Sequence, residues 1–227
     1  MNMASHAFSR ILPVPYYVQE SDVHCQSTCL RMYAEYLERC KQHSPTNAAQ
    51  TPIPEIWKQI NTGKDRPVQV RNAHANMMWW LEKNFPPLKF QKKTTTDPNA
   101  ALFWVIRSID AGFPVMASVS HKRVAGHIIL LVGYRDYSPD VCMADDLFTP
   151  SPALMMTKII AHDPYGGFDP ALSCAFWGKK RWTGGMSLMS GGQSGAGRNV
   201  ELPVENVGRR KEGDERAGNF ELMSAGF

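Results

Sequence analysis

Apolar residues recur along this chain with two different periods, and the switch between them separates a helical first half from a sheet-forming second part. Cys25, Cys29, Met32 and Tyr36, with Leu37 beside them, follow at three- and four-residue steps and predict a helix that fades near Cys40. Asp22 suits the N-cap of that helix and places Cys25 third in its first turn. Ahead of it, residues 11–19 read as extended, because Pro13 and Pro15 lack amide donors and restrict their neighbours. After a polar loop, Pro54 and Glu55 open a short helix carrying Ile56, Trp57 and Ile60. Residues 73–84 form another, with Met77, Met78, Trp80 and Leu81 on its buried side and Pro86-Pro87 as its stop.

The period then changes. Residues 88–93 alternate like an edge strand, and Asp97-Pro98 caps a helix running through Leu102, Val105, Ile106 and Ile109 to Gly112. Residues 114–120, 126–134 and 156–161 are short runs of β-branched and large apolar residues, the composition of sheet strands. Helices first and strands afterwards is the order of an α+β domain with segregated elements.

Composition adds a boundary and several exclusions. From about Thr183 the chain is Gly-rich, charged and poor in aromatics, so residues 183–227 are expected to form a tail, mobile or docked on a partner protein, behind a domain of residues 1–182. A chain of 227 residues with 43% hydrophobic content can bury one sizeable core. Its net charge of +4 is scattered over short clusters rather than gathered on one stripe, which argues against a nucleic-acid partner. No run approaches a membrane span, and residues 1–12 lack the apolar stretch of a secretory signal. Five cysteines without framework spacing suit reduced thiols, as in a cytoplasmic or virion-associated protein.

The candidate chemistry lies in three separated segments. Cys25 alone reads as a buried small hydrophobe, but the first turn of a helix also stabilises a thiolate. Gln19, upstream of it, supplies an amide able to donate to an oxyanion. Cys29, one turn further along the same face, fits the core. A thiol nucleophile needs an imidazole, and His127 opens the strand-like run GHIILLVGY, either as a structural residue or as a base held at a sheet end. His24 adjoins Cys25 but points elsewhere on a helix, while His43, His74 and His121 carry no motif. Asp163, in HDPYGG, is either the carboxylate that orients the imidazole or a plain Asp-Pro turn, and Asp145 and Asp146 are its rivals. A zinc site from Cys25, Cys29 and a histidine lacks the second ligand pair such sites show, so no metal or cofactor is expected.

Together VPYYVQ, CQSTCLRM, GFPVMASV, GHIILLVGY and the DPYG turn resemble the papain-like, bacteriocin-processing type of cysteine peptidases, over residues 13–167. The resemblance implies a helical N-terminal half bearing the thiol, packed on an antiparallel sheet, in a protein of bacterial or phage origin. It implies Cys25 as nucleophile, His127 as general base, Asp163 as orienter, and Gln19 with the Cys25 amide as oxyanion donors. It further implies a peptide or protein substrate, with paired glycines as one site of cleavage, and this chain carries Gly191-Gly192. Two departures from the pattern are a loop at 136–155 that reads as an insertion and Gln26 in place of a smaller residue. They leave an alternative of another class, a catalytically silent binding or assembly module on the same scaffold.

Overall fold

One helix, buried on almost every side, sets the centre of the molecule. The computed structural model describes residues 7–21, 23–40, 42, 44–121, 124–138, 156–165, 197–209, 215–216 and 218–226. Helix α1 (Cys25–Arg39) buries eleven of its fifteen residues, so Leu30, Tyr33 and Ala34 are enclosed along with the predicted face. It packs on α2 (Ile53–Asn61), α3 (His74–Asn84) and the long strand β4 (Val124–Tyr137). Helix α4 (Pro98–Asp110) starts as its sequence predicts: the Asp97 side chain accepts from the Asn99 amide at 2.8 Å, and Pro98 occupies the first helical position. It ends at Gly112, whose φ of +87° suits glycine and lets the chain reverse into the sheet.

Among the described residues the sheet has seven strands, and its pairings are antiparallel. The order is β2 (Phe90–Thr95), β7 (Phe220–Ala225), β3 (Val115–His121), β4, β5 (Lys158–His162) and β6 (Val200–Pro203), with β1 (Phe8–Ile11) pairing off this path with β4. The predicted edge strand is therefore an edge, and the three predicted apolar runs are β3, β4 and β5. Gly133 lies where β1 crosses β4. A Cβ there would collide with the backbone of Arg10 and Ile11, so only glycine permits the approach.

The C-terminal segment departs from expectation. Composition assigned residues 183–227 to a tail, yet β6 and β7 lie within that range, and all six residues of β7 are buried between β2 and β3. The reason is local. FELMSA is an apolar strand inside a stretch whose average is polar, and averaging over the stretch hides it. Leu222 and Met223 are fully enclosed, and Ser224 is satisfied by donating to the Pro114 carbonyl at 2.9 Å. Strand β1, four residues long and exposed, carries no alternating pattern, and residues 8–11 were expected only in part as extended chain.

Candidate active site

Helix α1 begins at Cys25 itself, two residues later than an Asp22 cap would require; His24 holds the N-cap position and its side chain makes no capping bond. Asp22 lies outside the described residues. The shift matters for chemistry, because the backbone N–H of the first helical residue has no acceptor inside the helix and faces outward with the positive end of the dipole. The first turn carries no acidic residue to neutralise that end.

Strand pairing delivers the imidazole. His127 of β4 lies opposite Val119 of β3, just after Gly126, whose φ of +74° falls within the strand where the β3–β4 register shifts. The carbonyl of the next residue, Ile128, accepts from the Cys29 thiol at 3.5 Å, so α1 packs against this part of β4. Pairing of Leu130 with His162 sets the register of β5, so Asp163, one residue further, falls on the His127 face while His162 falls on the other. The two side chains meet: His127 Nε2 lies 2.9 Å from Asp163 Oδ1, both groups being buried. The Cys25 side chain is in hydrogen-bonding contact with the His127 ring. With Nε2 engaged by the carboxylate, Nδ1 is the nitrogen left to face the thiol.

Asp163 is held as firmly as it holds. Its Oδ1 also accepts from the Tyr165 amide at 2.8 Å, the turn geometry that Asp-Pro implies. One oxygen thus serves both the turn and the contact with the imidazole. Its backbone N–H donates to Gly197 at 2.8 Å, and its carbonyl accepts from the Tyr16 hydroxyl at 3.0 Å. The Tyr165 ring packs edge-on against the His127 imidazole, centroids 5.1 Å apart, and closes the site to water from that side.

Charge follows from this geometry. Burial disfavours a charged imidazole, but the charge and hydrogen bond of Asp163, joined by the Cys25 side chain, outweigh it and lift His127 from 6.5 to about 9. For Cys29, burial first and then Cys25 and Asp163 push the thiol well above its ordinary value, as befits a core residue.

Gln19 reaches the site through the backbone. Its N–H donates to the Pro164 carbonyl at 3.0 Å, tying the leading segment to the residue after Asp163. Its side chain is fully buried; Nε2 donates to the Ser21 carbonyl at 2.6 Å, and among the described residues its second amide hydrogen meets no acceptor. The amide oxygen has no hydrogen-bond partner among the described residues. Gln19 makes no side-chain bond to Cys25, His127 or Asp163 among the described residues, so the structure brings three of the four predicted residues into contact and ties the fourth to them only through its backbone bond to Pro164.

Sequence reasoning missed two supports. Tyr165 carries no signal beyond its place in the turn. His162 adjoins Asp163, yet its ring faces the other way, with Nε2 donating to Val14 at 3.0 Å and Nδ1 accepting from Asn199 at 3.2 Å; burial lowers its pKa, as this neutral bonding pattern requires. It fixes the leading segment that carries Gln19. The rivals Asp145 and Asp146, together with His43, the inserted loop beyond residue 138 and Gly191-Gly192, lie outside the described residues. Among the described residues, no helix is long and apolar enough to cross a membrane.

Comparison with known proteins adds to the geometry. The sequence matches the model of the Peptidase_C39 like family over residues 11–170. No curated protein matches the chain by sequence. Among solved structures it is similar to UfSP from C. elegans, with a TM-score of 0.52 at 12% identity, covering 99% of this chain and 35% of that one. The chain thus spans about a third of that protein's length, and at this identity the likeness concerns the fold alone.

Proposed function

Because the chain belongs to the Peptidase_C39 like family and has a papain-like cysteine peptidase fold, we propose that Cys25, His127 and Asp163 act as its catalytic triad, with Gln19 as an oxyanion donor. The observation that carries the proposal is the continuous contact from the Asp163 carboxylate through the His127 ring to a thiol on the first residue of α1.

The reaction runs in two halves. The Cys25 thiolate attacks the carbonyl carbon of a peptide bond, forming a C–S bond and pushing the carbonyl electron pair onto oxygen. That oxyanion is met by the Cys25 backbone N–H and the free hydrogen of Gln19 Nε2. His127, already an imidazolium, gives its Nδ1 proton to the leaving amine as the C–N bond breaks. Water then attacks the thioester, His127 takes its proton, and the thiolate leaves as the acid product forms. Asp163 accepts from Nε2 throughout, fixing the ring and stabilising its charged form. The substrate is a peptide or protein. Cleavage after paired glycines, in other proteins or at Gly191-Gly192 of this chain, is a specificity the same machinery would support.

A substrate-like peptidyl vinyl sulfone, read by mass spectrometry of the intact chain, tests the reading. A single adduct on Cys25, absent in Cys25→Ala and strongly slowed in His127→Ala, is expected. Equal labelling of Cys25 and Cys40, or labelling indifferent to His127, would leave the fold without the activity.

A further inference from the structure

The ladder between β5 and β6 stops at the pair Ala161–Val200, and beyond it a side chain takes over from the backbone. At the next position His162 Nδ1 accepts from the Asn199 N–H at 3.2 Å. Asn199 makes that bond with a φ of +52°, in the left-handed region that asparagine tolerates better than most residues. One residue on, the Asp163 N–H donates to the Gly197 carbonyl at 2.8 Å, so residues 197–199 stay against the end of β5 after the ladder has ended.

The same ring holds the leading segment from its other nitrogen. Nε2 donates to the Val14 carbonyl at 3.0 Å. The Tyr16 ring stands edge-on to the imidazole, centroids 5.4 Å apart, while its hydroxyl donates to the Asp163 carbonyl. Gln19 closes this run through its backbone bond to Pro164. His162 is only 1% exposed, so a bond lost at either nitrogen is not made good by bulk water. Burial, with the charge of Arg198 behind it, keeps the ring below 6.5 against the opposing bond to Val14. The neutral tautomer with its hydrogen on Nε2 is the form that satisfies both contacts at once. Asp163 is the next residue in the chain, and its Oδ1 lies 2.9 Å from His127 Nε2. The Tyr165 amide fixes that carboxylate within its own turn, whereas His162 and Tyr16 fix the turn against the leading segment. The tolerance is small, because a shift of about 1 Å in a catalytic group costs on the order of a hundredfold in rate.

We propose that His162 is a positioning residue of the active site: bonded at both ring nitrogens, it clamps residues 14–19 and 197–199 onto the turn at Asp163, so that the carboxylate facing His127 and the amide of Gln19 share one frame. The inference rests on the reading of Asp163 and Gln19 as members of the site, and it adds the residue that holds them in register. His162 touches neither substrate nor the reacting atoms; it acts through Asp163 on the imidazole and through the leading segment on the oxyanion donor.

Three variants of the full chain test the clamp. His162→Phe fills the space and makes neither bond, His162→Asn offers an acceptor near the Nδ1 position for Asn199, and His162→Gln offers a donor near the Nε2 position for Val14. In His162→Phe, kcat on a fluorogenic peptide should fall about tenfold or more with KM within about threefold, because the loss lies in the placing of groups that act in the transition state. NMR titration of His127 should move down from its wild-type value, since a displaced Asp163 holds the charged ring less well. The Asn and Gln variants should each recover part of both losses. A merely structural residue would lower the melting temperature and leave kcat and the His127 titration of the folded protein unchanged, and that result would overturn the proposal. Asn and Gln variants no better than Phe would do the same. Should the Phe variant not fold, the other two still decide, because a wild-type kcat and His127 titration in both would refute the clamp. The titration needs no turnover, so failure of the peptidase reading is told apart as absence of a Cys25 adduct in the wild type.

Discussion

Replacing Asp163 with asparagine keeps the shape of the site and removes one charge, which isolates what the carboxylate does. In the native protein His127 titrates at about 9 against an ordinary 6.5, a preference for imidazolium of roughly 3 kcal/mol at about 1.4 kcal/mol per tenfold. That preference survives burial, which acts in the opposite direction, because the carboxylate charge and hydrogen bond, with a smaller part from the Cys25 side chain, are larger in sum. In Asp163→Asn the burial is left unopposed by a full charge, so the ring should titrate below 6.5 and be neutral at pH 7. The acid that protonates the leaving amine is then scarce, and hydrolysis of a fluorogenic peptide at pH 7 should fall about a hundredfold or more. Two measurements check this. The alkaline limb of the rate profile should move from near pH 9 to below pH 7, and NMR titration of the imidazole carbon-bound proton should give the same displacement directly. Stability follows with its own sign. A raised imidazole pKa contributes stability that is complete below pH 6.5 and is lost as pH climbs toward 9, so the wild type should weaken over that window while the variant stays flat. A variant that still titrates near pH 9, or retains the wild-type alkaline limb, would refute the assignment of Asp163 as the source of the charge on His127.

Other substitutions probe neighbouring links. Cys25→Ser should abolish turnover while leaving the melting temperature within a few degrees, since Ser is nearly isosteric at a helix start; residual hydrolysis above background would count against the nucleophile. Gln19→Ala should lower kcat by about a hundredfold with KM little changed, because an oxyanion donor acts in the transition state, and a rise in KM alone would deny it that role. Cys29→Ala should leave peptidase activity intact and cost about 1–2 kcal/mol in denaturant unfolding, as expected for a small buried side chain, whereas loss of activity would draw the second thiol into the chemistry. Leu222→Ala should destabilise by about 2–5 kcal/mol, and removal of residues 218–227 should yield insoluble protein because β2 and β3 lose the strand between them; a soluble, active truncation would reject the placement of β7.

Much of this architecture is written locally. Asp97-Pro98 caps its helix through a bond between residues two apart, so nothing distant is needed to predict it. The period of Cys25, Cys29, Met32 and Tyr36 marks a buried helix face, and the apolar runs of β3, β4 and β5 mark strands. Averaging concealed β7, where six residues suited to burial sit inside a Gly-rich, charged stretch. The Asp22 cap misplaced the start of α1 because several residues there can cap, and their competition is decided by the path of the preceding loop.

The sequence by itself determined the elements and the inventory of reactive groups: a thiol at a helix start, an imidazole at the head of a strand, a carboxylate in a turn. Those assignments rest on chain neighbours a few residues apart. Tertiary structure decided which groups meet. The pairing of Leu130 with His162 sends Asp163 to the imidazole and His162 away from it, and a slip of one residue would exchange them. It also gathered Val14, Tyr16 and Asn199 from distant segments around His162 and Asp163. Register and convergence depend on contacts between residues far apart in the chain, and no local pattern encodes them.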